Sequence, residues 1–159
     1  LPVGAPENSE ALFLKGFTEA ESMAPAILEK PVPEGLTKSE LRTLCLSALT
    51  DYLDTSVVRL SGICNAGEVH VTPDCPRGAW GTCRKTGEIR LNPSLCWMPE
   101  AVVDEVLLHE LNHLAFPEPW GLHSPAFWER MTRLEPLWPY LEGRLRGNRK
   151  VGVYGVFPV

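Results

Sequence analysis

Residues 109–128 read HELNHLAFPEPWGLHSPAFW and open with His-Glu-x-x-His. Helical residues advance by about 100° each, so His109 and His113 stand one turn apart on one face. Both imidazoles then reach toward one ion. Glu110 falls on the flank of that face, close enough to take a proton from a water beside the metal without ligating it. The other faces carry Val102, Val103, Val106, Leu107, Leu111 and Leu114, apolar material enough for a core. A carboxylate buried between two histidines without a charged partner is costly, which favours a metal over a packed histidine pair.

Two histidines hold a metal loosely, and a catalytic zinc ordinarily has three protein ligands and one open position. His123, Glu118, Glu129 and the more distant His70 are the candidates for the third. His123 is the best placed, because the chain turns at Pro-Glu-Pro-Trp-Gly and starts a new helix at Ser124. Glu129, inside that second helix, is the alternative.

MPEAVVDEVLLHELNHLAF (98–116) reads as a long helix opened by Pro99, with Glu100, Asp104 and Glu105 toward its positive end and Pro117 ending it. HSPAFWERMTRL predicts a further helix capped by Ser124, with Pro125 at its first position and Pro136 as its stop. LTKSELRTLCLSALTDYLDT (36–55) predicts an amphipathic helix. Thr37 is its N-cap and Glu40 its capping-box partner, and Leu41, Leu44, Cys45, Ala48, Leu49 and Tyr52 follow at helical spacing. The segments SVVRLSGIC (56–64), EVHVTP (68–73) and GEIRLNPSL (87–95) are rich in Val and Ile, with Gly, Asn or Pro between them, and predict a three-stranded antiparallel sheet. The fold class expected is therefore α+β.

Three regions are expected: an extended or partly helical arm over 1–35, rich in proline; a domain over 36–145; and a tail over 146–159. Around the start of the tail the basic cluster Arg144, Arg146, Arg149 and Lys150 reads as a solvated surface and precedes VGVYGVFPV, which reads as an added strand.

At 159 residues and 44% hydrophobic content the chain suits one globular domain. The net charge of −5 disfavours a surface built to grip nucleic acid, although Arg144 to Lys150 offers a local contact. No apolar run of about 18 residues and no signal-like N-terminus is visible, so a cytoplasmic protein without a membrane span is expected. Cys45, Cys64, Cys75, Cys83 and Cys96 are odd in number and form no Cys-x-x-Cys pair, so reduced and mostly buried thiols are expected.

Four stretches in order resemble the YgjP-like and, more distantly, the SprT-like zinc metallopeptidases. They are Trp80-Gly81-Thr82-Cys83, the run Ile89 to Asn92, His109 to Leu114, and His123-Ser124-Pro125 with Phe127 and Trp128. The resemblance implies a zincin-like fold with a small sheet on the active-site helix, Zn2+ on His109, His113 and His123, and Glu110 as catalytic base acting on a polypeptide substrate. The link from His113 to His123 is longer than is usual in that family, which suggests a bulge carrying Trp120. Thr82 and Asn112 also depart from its common residues. The cysteine-ligated zinc module that often follows an SprT domain is absent from this sequence.

The expected chemistry is peptide hydrolysis by an activated water, with substrate added as a strand along GEIRLN. Tyr140 and Arg77 are weak candidates for stabilising the oxyanion, and Trp80 and Trp128 read as core aromatics. Two other readings are a zinc-binding interaction module, with the apolar tail as a plug, and a protease working at nucleic acid.

Overall fold

The computed structural model describes residues 26–27, 34–74, 79–116 and 122–148. Most of the N-terminal arm, Cys75, Arg77, Glu118, Trp120, Arg149, Lys150 and VGVYGVFPV lie outside the described residues.

Helix α1 spans Lys38–Cys64. Its capping box is complete: the Thr37 hydroxyl accepts from the Glu40 backbone N–H at 3.1 Å, and the Glu40 carboxylate accepts from the Thr37 N–H at 2.7 Å. The segment expected as a first strand, 56–64, is instead the second half of this helix. Buried Ser56, Leu60 and Cys64 continue the stripe begun by Cys45, Leu49 and Leu53 at steps of three or four residues. Burial along one face outweighs the strand preference of Val57 and Val58. Asn65 ends the helix in the left-handed conformation, its N–H donating to the Ser61 carbonyl.

Strands β1 (His70–Pro73), β2 (Gly81–Cys83) and β3 (Glu88–Leu91) form a sheet in the order β1-β3-β2. The sheet is mixed rather than wholly antiparallel: β2 and β3 form an antiparallel hairpin, whereas β1 pairs with β3 in parallel. The hairpin is closed by Gly87, whose φ of 93° and 2.6 Å approach of an ideal Cβ to the Glu68 carbonyl oxygen admit only glycine. β3 is thus the central strand, and GEIRLN offers no free edge. Among the described residues, the unpaired edge beside the histidine helix is β2.

A 3-10 turn (Pro93–Trp97) leads into α2 (Glu100–Ala115). Helix α3 (Pro125–Leu134) follows, with the Ser124 hydroxyl accepting from Phe127 N–H at 3.1 Å. A fourth helix, α4 (Trp138–Asn148), occupies much of the basic stretch that reads in sequence as a surface tail. Its buried Leu141 and Leu145, with Leu137 just before its start, follow at four-residue steps and dock it against α2.

The core lies between α1, α2, α4 and the sheet, with Leu49, Ile89, Leu91, Leu95, Leu107, Leu111, Met131 and Leu141 almost wholly buried. Arg130 fastens its rim. Its guanidinium donates to the Ala115 carbonyl at 3.0 Å and to the Cys64 carbonyl at 3.1 Å, tying the C-terminal ends of α2 and α1 to α3. Cys45, Cys64, Cys83 and Cys96 are free thiols. None of the helices among the described residues is long and apolar enough to cross a membrane.

Candidate metal centre

Helix α2 presents His109 and His113 one turn apart, and His123 stands just before the cap of α3. The His123 Nε2 lies 3.0 Å from the Nε2 of His109 and 3.0 Å from that of His113. The two short segments therefore meet at a single point. Of the other ligand candidates, His70 is exposed on β1 beside Glu68, and Glu129 is exposed on α3. Neither joins the cluster.

The local sequence explains this convergence. Asn112, wholly buried, donates from Nδ2 to the Phe127 carbonyl at 3.1 Å and so sets the height of α3 against α2. The Phe127 ring fills the space behind the imidazoles, stacked on His113 with centroids 4.5 Å apart and edge-on to His109 and His123. Trp128 supports His123 from the side and stacks on Trp138. In sequence Asn112 reads only as a departure from a small residue; its bond to Phe127 O is visible only in three dimensions.

Burial presses on the protonation of the site. It pushes the His113 imidazole down to about 4, with the neighbouring His109 and His123 adding to the effect. His123 is lowered by burial first and then by His109, against the opposing pull of Glu142. Glu110, 8% exposed, is pushed up to about 7 by burial, against the opposing pull of His109. Neutral imidazoles beside a carboxyl group poised near neutrality suit metal ligation and proton transfer.

With all three Nε2 atoms unprotonated, their lone pairs at 3.0 Å would repel one another unless a cation lay among them. A donor set of three neutral nitrogens fits zinc, which takes histidine nitrogens at about 2.0–2.1 Å and leaves a fourth position for water or substrate. The outer ring nitrogen of His109 has its own partner. Its Nδ1 faces Oε1 of Glu142, on α4, at 3.4 Å. An Nδ1–H directed at that carboxylate leaves Nε2 as the free lone pair. Glu105, Glu142 and His109 form a second group, sharing His109 with the first, whose ligand atoms lie within 4.8 Å of one another.

The histidines and Glu110 line a cleft of about 310 Å³ closed on its other side by Gly81, Thr82 and Cys83 of β2. Asn92 N–H donates to the Trp80 carbonyl and Arg84 N–H to the Glu88 carbonyl, so residues 80, 82 and 84 face β3. The alternation turns the main-chain groups of Gly81 and Cys83 toward the open edge. Gly81 also makes the close approach possible, since a Cβ there would lie 3.1 Å from Val106 Cγ1 and 3.3 Å from Glu110 Cγ. The Cys83 thiol is pushed up to about 12, by burial first and then by Glu110, which leaves it neutral. Tyr140 is half-buried against the core and is not among the residues lining the cleft.

A family model of the YgjP-like metallopeptidase domain matches residues 14–148. The chain belongs to the YgjP-like family. No curated protein and no solved structure matches it significantly. The α+β fold with its small sheet on the histidine helix agrees with that family's zincin-like architecture. The family is one of metallopeptidases, and a peptidase domain implies a polypeptide as the substrate class.

Proposed function

We propose that this YgjP-like domain is a zinc-dependent peptidase in which His109, His113 and His123 hold the metal and Glu110 is the general base. The observation that carries the reading is the meeting of three imidazole Nε2 atoms within one cleft, beside a buried carboxyl group. A zinc ion held there supplies Lewis acidity, acidifying a water and polarising the peptide carbonyl.

The remaining work falls to the chain. Glu110 accepts the proton of the attacking water and delivers it to the departing amine, a role suited to a carboxyl group near neutrality. Glu142 holds the His109 ring in the tautomer and orientation that ligation requires. A substrate in extended form lies along the open edge of β2, exchanging hydrogen bonds with the main chain of Gly81 and Cys83. Such binding is tolerant of sequence and leaves selectivity to side-chain pockets.

The test is zinc content by elemental analysis, with hydrolysis of unstructured peptides, for the wild type, His123→Ala and Glu110→Gln. One zinc per chain that is lost in His123→Ala, together with hydrolysis abolished in zinc-loaded Glu110→Gln, is the result expected. Zinc retained in full without His123 overturns the ligand set. Zinc without hydrolysis in the wild type favours an interaction module instead.

A further inference from the structure

A second cavity, of about 250 Å³, opens beside the histidine cleft and shares Gly81, His109 and Glu110 with it. Trp80, Val106 and Leu145 supply apolar walls; Glu105 and Glu142 supply carboxyl groups. Two polar atoms of its lining, Glu105 Oε1 and Trp80 Nε1, are buried without a hydrogen-bond partner among the described residues. Glu105 is 1% exposed. A leucine there would suit its neighbours Val106, Leu107 and Leu145 better than a carboxyl group with an idle oxygen. Burial first, and then the charge of Glu142 and a hydrogen bond between the two carboxyl groups, hold the Glu105 carboxyl well above the usual range. A cation entering the cavity would offset this crowding of carboxyl groups, and the idle Glu105 Oε1 offers it an acceptor.

We propose that this cavity is a substrate side-chain pocket that takes lysine or arginine next to the bond to be cut, an inference that rests on the peptidase reading above. The methylene stem packs between Trp80, Val106 and Leu145, and the charged head donates to Glu105 Oε1 in the field of Glu142. The indole N–H of Trp80, a donor only, is left for a substrate carbonyl. Arg146, at the margin, is well exposed and stands 3.9 Å from Glu142 Oε2, beyond hydrogen-bond distance, so it swings into solvent when another cation enters. An acidic side chain would meet Glu105, Glu142 and Glu110 together and is excluded. Along an extended substrate the side chains alternate, and the shared border at Gly81 places this cavity next to the metal point.

Two measurements test the pocket separately from the peptidase reading: the residues flanking each cut in a mixture of random unstructured peptides, and calorimetric binding of lysine hydroxamate against norleucine hydroxamate, both with the zinc-loaded full chain. The expected result is enrichment of Lys and Arg at one position beside the cut and a preference of about tenfold or more for the lysine ligand. Both preferences should collapse in Glu105→Leu, and in the isosteric Glu105→Gln should the leucine variant fail to fold. Cutting without basic preference, or a preference that survives both variants, overturns the pocket and leaves the peptidase reading standing. Preference for the lysine ligand without any cutting supports the pocket and overturns the peptidase reading. Neither cutting nor preference overturns both.

Discussion

His109 touches two partners at once: its Nε2 lies 3.0 Å from that of His123, and its Nδ1 lies 3.4 Å from Oε1 of Glu142. One ring thus links the metal point to a carboxylate on the last helix. Removing such an outer carboxylate usually lowers metal affinity by about 10–100-fold. Glu142→Ala should weaken zinc binding by a factor in that range, and Glu142→Gln, which still accepts from Nδ1–H, by less. Competition with a chromophoric chelator measures both, and equal affinity in all three proteins would remove Glu142 from the site.

Gly81 is the narrowest point between β2 and α2. A methyl group there would press on Leu91, Val106 and Glu110 at 3.1–3.3 Å. Gly81→Ala should therefore lower stability by about 1–3 kcal/mol, the usual cost of overpacking. Because the displaced group is Glu110 rather than a histidine, hydrolysis should fall while zinc content is kept. Denaturant titration and elemental analysis on the same sample separate the two effects.

Arg130 should matter more than its position on a half-exposed helix suggests. It satisfies carbonyls at the ends of both α1 and α2, where a positive charge is also favoured by the helix dipoles. Arg130→Leu is expected to lower the unfolding free energy by about 2–4 kcal/mol, two charge-assisted bonds of about 1.5–3 kcal/mol each reduced by solvent screening of the half-exposed guanidinium. A change within error in the denaturation midpoint would refute this.

The pH dependence of the metal-free protein follows from Glu110. Its folded pKa of about 7 is above the ordinary 4.5, so the folded state holds the proton more tightly than the unfolded chain. Its contribution is most favourable below about pH 4.5 and is lost as pH rises through 7. His113, lowered to about 4, has the opposite sign: its neutral form is favoured, and stability rises between about pH 4 and 6.5. The histidine effect is common to wild type and Glu110→Gln. In chelator, the variant should therefore gain on the wild type by about 2–3 kcal/mol between pH 4.5 and 7 and no further above it. A difference independent of pH would show that Glu110 titrates normally.

Features that depend on near neighbours along the chain are legible in the order of residues alone. Thr37 with Glu40 and Ser124 with Phe127 are caps formed within three residues, and the i, i+4 spacing of His109 and His113 is a property of any helix. The meeting of His123 with that pair was also legible, because a proline-rich turn and a capped helix leave a short return path. Tertiary structure decided the rest. Val57 and Val58 favour a strand locally, but a buried stripe reaching Cys64 keeps α1 helical. The strand preferences of 68–73 and 87–95 carry no direction of pairing, and it is the Gly87 hairpin that makes β3 central and β2 the exposed edge. Glu142 reads as one more charge in a basic stretch until Leu137, Leu141 and Leu145 dock α4 and bring it to His109. Spacing along a helix is local, whereas the partner of a side chain depends on which faces the core buries.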